Sequence, residues 1–167
     1  RGQYENTREY PYRGERFVQA VSYLPVYKIQ INYKYTNVTD KVVHKELSYA
    51  IVGVLFEVYN ELGYGYQEKY YERAIVKEFK RRKIQFRCQP CCDLLFKGEK
   101  IGRYYFDFLI EEQVILEIKQ GDYFSRKNID QVKGYLKAAN LQLGILANFT
   151  SSGIKYKRIL NIQTMKE

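Results

Sequence analysis

Apolar residues recur at Leu47, Ala50, Ile51, Val54, Leu55, Val58 and Leu62. Steps of three and four put them on one face of a helix over about four turns. Thr39 or Asp40 can cap that helix, and Gly63 is placed to end it in a left-handed cap. After the short turn "GYG", a second helix is predicted from about Gln67 to Arg82, with Tyr71, Ala74, Ile75 and Phe79 on its apolar face. The run Lys80–Lys83 falls at its end, where cations complement the helix dipole or contact phosphate. The period then changes from 3.6 to 2. Ile84–Cys88 reads as a strand, followed by Asp93–Phe96 and Ile101–Ile110 around the turn "KGEK", and by Val114–Lys119. "GDYFSRKN" reads as a loop in which Ser125 or Asn128 caps a helix running to Ala139, and "LQLGILANF" (Leu141–Phe149) as a last core strand. Upstream, "VYKIQINYKY" alternates cleanly, with Tyr27, Ile29, Ile31, Tyr33 and Tyr35 on one face, so residues 1–38 read as an extension with at least one strand. The order of elements predicts an α plus β domain over residues 39–167, built on one mixed sheet of four to five strands flanked by helices.

The stretch "YYFDFLIEEQVILEIK" (Tyr104–Lys119) carries charge in a place that looks buried. With Glu111–Glu112–Gln113 as a three-residue hairpin loop, Ile110 sits opposite Val114, Phe108 opposite Leu116, Asp107 opposite Glu117 and Tyr105 opposite Lys119. One face is then wholly apolar: Phe106, Phe108, Ile110, Val114, Leu116 and Ile118. The other gathers Tyr105, Asp107, Leu109, Ile115, Glu117 and Lys119. Directly opposed side chains lie about 4.5–5.5 Å apart at Cβ, and opposed carboxylates repel. A hard divalent cation offsets that repulsion; Mg²⁺ takes one or two carboxylates and completes its shell with water and phosphate oxygens. The Asp…Glu-x-Lys spacing alone equally suits a surface ion-pair cluster on a solvated sheet face.

Charge sharpens the reading. The 167 residues hold 28 Lys and Arg against 19 Asp and Glu, a net +9. That excess favours a polyanionic partner, nucleic acid first and an anionic membrane surface second. The longest apolar run, Ala50–Phe56, is far short of the ~20 residues a spanning helix needs. The first residues have no apolar stretch of the signal-peptide kind. Cys88, Cys91 and Cys92 are too few and too crowded for a disulfide framework, and a zinc site lacks a fourth ligand near them. A cytoplasmic location is the expectation, with no membrane partner.

Asp107, then Glu117-Ile118-Lys119 at a strand end, then a helix bearing Gln131, resembles the PD-(D/E)XK nuclease superfamily. The closer resemblance is to its GxxExxY subgroup, whose signature stands here as Gly65-Tyr66-Gln67-Glu68-Lys69-Tyr70-Tyr71. "VYNELGYG" and Gln131–Phe149 are similar to the subgroup's neighbouring segments. The resemblance covers roughly Lys41–Asn161. It implies a restriction-endonuclease-like core. Asp107 and Glu117 would hold Mg²⁺ or Mn²⁺, and Lys119 would position the attacking water and steady charge on the phosphoryl group. Glu68 would be an additional acidic metal-site residue, and Gln131 would point into the site from the later helix. Tyr71 and Tyr135 read as packing groups. Gln120 stands where a small residue is commoner, Tyr59 where the subgroup often has His, and residues 1–40 have no counterpart.

Three functions follow. The first is a Mg²⁺-dependent nuclease acting on DNA, with Arg103, Arg126, Lys127, Lys133 and Lys137 contacting backbone phosphates. The second is a non-catalytic nucleic-acid-binding module on the same fold, its 18 tyrosines available for base stacking. The third is a protein-interaction domain that uses the extra N-terminal strand for edge pairing, with a homodimer as one outcome.

Overall fold

The computed structural model describes residues 42–165. The strand expected at Tyr27–Tyr35, the extension 1–38 and the caps Thr39 and Asp40 lie outside the described residues. Helix α1 runs Lys45–Leu62 and α2 Glu68–Arg81. At the start of α1 the cap position belongs to His44 (φ 48°), not to Thr39 or Asp40, and the Ser48 hydroxyl donates to the His44 carbonyl at 2.7 Å. Gly63 ends α1 with φ 71° but an extended ψ of −160°, so the cap is left-handed in φ alone.

The strands are β1 Phe86–Cys88, β2 Cys91–Phe96, β3 Glu99–Tyr105, β4 Phe108–Ile110, β5 Val114–Gln120, β6 Leu143–Thr150 and β7 Gly153–Leu160, with α3 (Arg126–Ala139) between β5 and β6. A five-stranded mixed sheet has the order β1-β4-β5-β6-β7; β5 and β6 are parallel and the other neighbours antiparallel. Helix α3 carries the chain between the parallel pair, as a parallel connection requires. Strands β2 and β3 form a separate ribbon. This is the α/β architecture the pattern predicts, with five strands in the central sheet.

Two strand readings need correction. Leu141–Phe149 is not the last strand, because β7 follows it. Ile101–Ile110 is not one strand. The segment opposite it turns at Gln89, which has φ 46°, and Pro90, which has no N–H to donate. The ribbon keeps its register through the bend, since Phe106 N–H donates to Pro90 O (3.3 Å) and Gln89 N–H to Asp107 O (2.8 Å). Beyond the bend, however, β2 and β3 leave the central sheet. Tyr105 therefore pairs with Cys91, not with Lys119.

Both sheet faces are covered. On one, Phe108, Ile110, Val114, Leu116 and Ile118 pack with Ile51, Val54 and Leu55 of α1 and Tyr71, Ile75 and Phe79 of α2. On the other, Leu109, Ile115 and Leu146 pack with Val132, Tyr135 and Leu136 of α3. Phe106 joins this second cluster, contrary to its expected place on the first face, because the bend precedes β4. A Cβ on Gly144 would meet Val132 Cγ1 at 2.5 Å, so the bare backbone there lets α3 lie close on β6. Among the described residues no helix is long and apolar enough to cross a membrane.

Candidate active site

The acidic pair forms where the ribbon departs. The ladder between β4 and β5 pairs Ile110 with Val114, Leu109 with Ile115 and Phe108 with Leu116, then stops. The next β5 donor, Ile118 N–H, has lost its strand partner. A buried N–H must find an acceptor, and the Asp107 carboxylate supplies one at 2.7 Å. The Asp107 N–H in turn lies 3.4 Å from Glu117 Oε2. The two residues are thus brought together, though by side-chain bonds across a bend and not as a ladder pair.

Glu117 is only 3% exposed. Its neighbour on the same side, Lys119, places Nζ 2.8 Å from Glu117 Oε1 and 2.9 Å from the Ile118 carbonyl. Burial, reinforced by the Glu117 charge, pushes Asp107 up to about 7. Burial also raises Glu117, against the pull of Lys119. For Lys119, burial acts to lower the pKa, but the bond to Glu117 and the surrounding carboxylates outweigh it and the ammonium is held more firmly.

Glu68 arrives from another element. It is the first residue of α2; its Oε1 accepts from Gln120 N–H at 3.1 Å and its Oε2 lies 3.8 Å from Lys119 Nζ. The stretch before it is built for this docking. Gly65 has φ 108°, a conformation that favours glycine, while Tyr71 is fully buried, stacks on Phe149 at 3.9 Å and donates its hydroxyl to Gly63 O at 2.8 Å. Glu68 therefore reaches the site through Lys119 and Gln120. Among the described residues, no three His, Cys, Asp or Glu side chains gather as one metal cage.

Gln131 is exposed on α3, and its side-chain amide hydrogen-bonds the Tyr135 hydroxyl, not the acidic pair. Tyr135 packs in the core as expected, 3% exposed. Yet its acidity is suppressed by burial and then by the charges of Glu117 and Asp107, so its hydroxyl feels the site directly. Its four-residue spacing from Gln131 was the available signal. Asn148 gave none. It stands beside Lys119 in the parallel register and is 1% exposed, and its amide donates to Gly121 O (3.0 Å) and Tyr123 O (2.9 Å), which ties down the loop after β5. Its own Oδ1 is buried without a hydrogen-bond partner.

A divalent metal fits this donor set. Two hard carboxylates converge at a strand end, and three carboxylates counting Glu68 face one ammonium. Mg²⁺ needs only one or two such ligands from the protein, keeping waters for the rest. Asp107 is pushed up to about 7 by burial first and by the Glu117 charge second, and a bound cation would offset both.

No curated protein is significantly similar to the sequence. A structural comparison aligns the chain with the crystal structure of SSO0001 at 14% identity, over 69% of this chain and 77% of that one, with a TM-score of 0.39. Residues 45–159 match the PD-(D/E)XK nuclease superfamily, and that span contains both acidic residues, Lys119 and Glu68. With well over half of its length matched, the chain belongs to the PD-(D/E)XK nuclease superfamily.

Proposed function

We propose that this chain is a GxxExxY-type nuclease that hydrolyses phosphodiester bonds in DNA with a divalent metal. The observation that carries the reading is the convergence of Asp107 and Glu117, with the Lys119 ammonium 2.8 Å from Glu117, at a buried strand end. In this reading Asp107 and Glu117 hold Mg²⁺ or Mn²⁺. When bound, the metal supplies Lewis-acid polarisation of a phosphate oxygen and a more acidic water. Lys119 carries a fixed positive charge to where the phosphoryl oxygens gain charge. Glu68 holds Lys119 from the far side and completes the acidic set, while Gln131 and Tyr135 border the site from α3. The nuclease domain spans residues 39–167, with 1–38 as an added segment. A cytoplasmic location suits the three free cysteines.

The test is cleavage of plasmid, branched and single-stranded DNA with Mg²⁺ or Mn²⁺. Wild type should cut and Glu117→Ala, folded by circular dichroism, should not. Equal cutting by the two proteins would remove Glu117 from the mechanism. Chelator-insensitive binding without any cutting would favour the non-catalytic module.

A further inference from the structure

The structure redirects attention from the cations that the sequence favours. Arg103 is paired with Asp93 at 2.9 Å, and Arg126 and Lys133 with Asp130 at 3.7 and 3.4 Å. Arg81 and Arg82 are held by Glu78. By contrast, Arg73, Lys77 and Lys80 are exposed on α2, and none of them forms an ion pair with a carboxylate among the described residues. Their spacing of four and three keeps them on one side of the helix. They line a cleft of about 370 Å³ whose opposite wall includes Gln89 and Asp107; Glu72 is the cleft's other carboxylate, and the cations outnumber the two acids.

At the N-terminus of α2 and just before it, the stripe becomes aromatic. Tyr66 and Tyr70 are 47% and 43% exposed, with ring centroids 6.4 Å apart, edge to face. The Arg73 guanidinium lies 5.7 Å from the Tyr70 ring and the Lys69 ammonium 5.0 Å from it. Tyr70, Arg73, Lys77 and Lys80 thus make one stripe. Glu68, within this segment, bonds the Gln120 N–H beside Lys119, so the aromatic end is anchored next to the acidic site.

Cations alone suit any nucleic acid. Exposed rings beside them gain binding only where base faces are free, which a duplex does not offer. We propose that α2 is the docking face for an unpaired nucleic-acid strand. Bases stack on Tyr66 and Tyr70, displacing the weak contacts of Lys69 and Arg73 with the Tyr70 ring. Phosphates run along Arg73, Lys77 and Lys80, which leads a phosphodiester into the cleft at Asp107. This deepens the nuclease reading by naming the strand form, and only its last step rests on that reading.

The test is fluorescence anisotropy on the full chain in chelator, with a labelled oligo-dT and a duplex of equal length, about 20 nucleotides, enough to span one such groove. The expected result is oligo-dT binding tighter than duplex binding by roughly tenfold or more, weakened about tenfold by Tyr70→Ala and kept by Tyr70→Phe. Replacing Arg73, Lys77 and Lys80 together with Ala should flatten the log affinity against log salt slope by about 2, at ~0.7 per single-strand phosphate contact. Duplex bound as tightly as oligo-dT, indifference to Tyr70→Ala, or no oligo-dT binding would each overturn the proposal. Tyr70 is exposed and leaves the core intact, and thermal melting checks that each variant folds. Oligo-dT binding with these dependences but no cutting in Mg²⁺ or Mn²⁺ would sink the nuclease reading and leave the docking face standing. Cutting by Tyr70→Ala at the wild-type rate on unpaired strands would do the reverse.

Discussion

Helix α2 has a charge cluster at each end, and the two are opposites. At its C-terminal end one buried carboxylate, Glu78, meets two guanidinium groups, Arg81 at 2.6 Å and Arg82 at 2.5 Å. Arg82 also reaches the Gly53 carbonyl of α1 at 3.5 Å, so the cluster clips two helices together. The Arg81 bond, against the pull of burial and with the help of Arg82, holds Glu78 down to about 2. At its N-terminal end, Glu68 joins Asp107 and Glu117 around the single ammonium of Lys119. There burial and like charge push Asp107 up to about 7. The same residue types thus serve two ends. A carboxylate with cations to spare is satisfied and structural. Carboxylates short of a cation store unfavourable charge that an external cation relieves, as functional sites do.

The largest expected effect separates the two clusters by activity. Glu117→Ala should lower the rate of DNA cleavage by about 10³-fold, several kcal/mol of lost charge stabilisation. Its melting temperature in chelator should not fall, because a buried like charge is gone. Glu78→Ala should keep the cleavage rate, and a loss of cutting comparable to that of Glu117→Ala would erase the distinction.

The next contrast is in pH. The folded pKa of Asp107, about 7, lies above its ordinary value of 3.8. Its protonated form therefore favours the fold, and stability falls as pH rises from about 4 to about 7, by at most ~4 kcal/mol. Glu78 has the opposite sign. Its contribution is complete above about 4.5 and is lost as pH falls through about 2. Denaturant melts in chelator from pH 3 to pH 8 should lose the upper slope in Asp107→Asn. Metal binding near pH 7 should release a proton, visible by calorimetry in buffers of different ionisation heat.

A smaller effect is Glu78→Ala itself, which should cost about 1–3 kcal/mol in urea unfolding at pH 7, the worth of charged hydrogen bonds lost at a buried position. The smallest is Asp93→Asn. Asp93 meets Lys100 at 2.8 Å and Arg103 at 2.9 Å, but all three are exposed by more than two fifths. Solvent screens such a cluster, so the melting temperature should not move. A clear drop there would show that counting cations around a carboxylate, without regard to burial, is the better rule.

Much of this was legible in the residues. The repeats in α1 and α2 give their spans to within a few positions, and Ser125 caps α3 by accepting from Asn128 N–H at 3.1 Å. The Glu111–Gln113 loop sets the register that the β4–β5 ladder adopts. Strand β7 was not legible because its alternation breaks. Ile154 and Tyr156 face one cluster and Ile159 the other, while Leu160 is exposed. The bend at Phe106–Asp107 was hidden because its cause, Gln89–Pro90, sits between β1 and β2, far from it along the chain though bonded to it in the fold.

Local spacing determined the helices, the hairpin and the candidate acids, because those depend on neighbours within a few residues along the chain. The tertiary structure alone decided that Asp107 would bond Ile118 N–H and that Glu68 would lie beside Lys119. It also decided which cations remain unpaired. Protonation and pairing depend on burial and on every charge nearby, and those are fixed only when distant segments pack together.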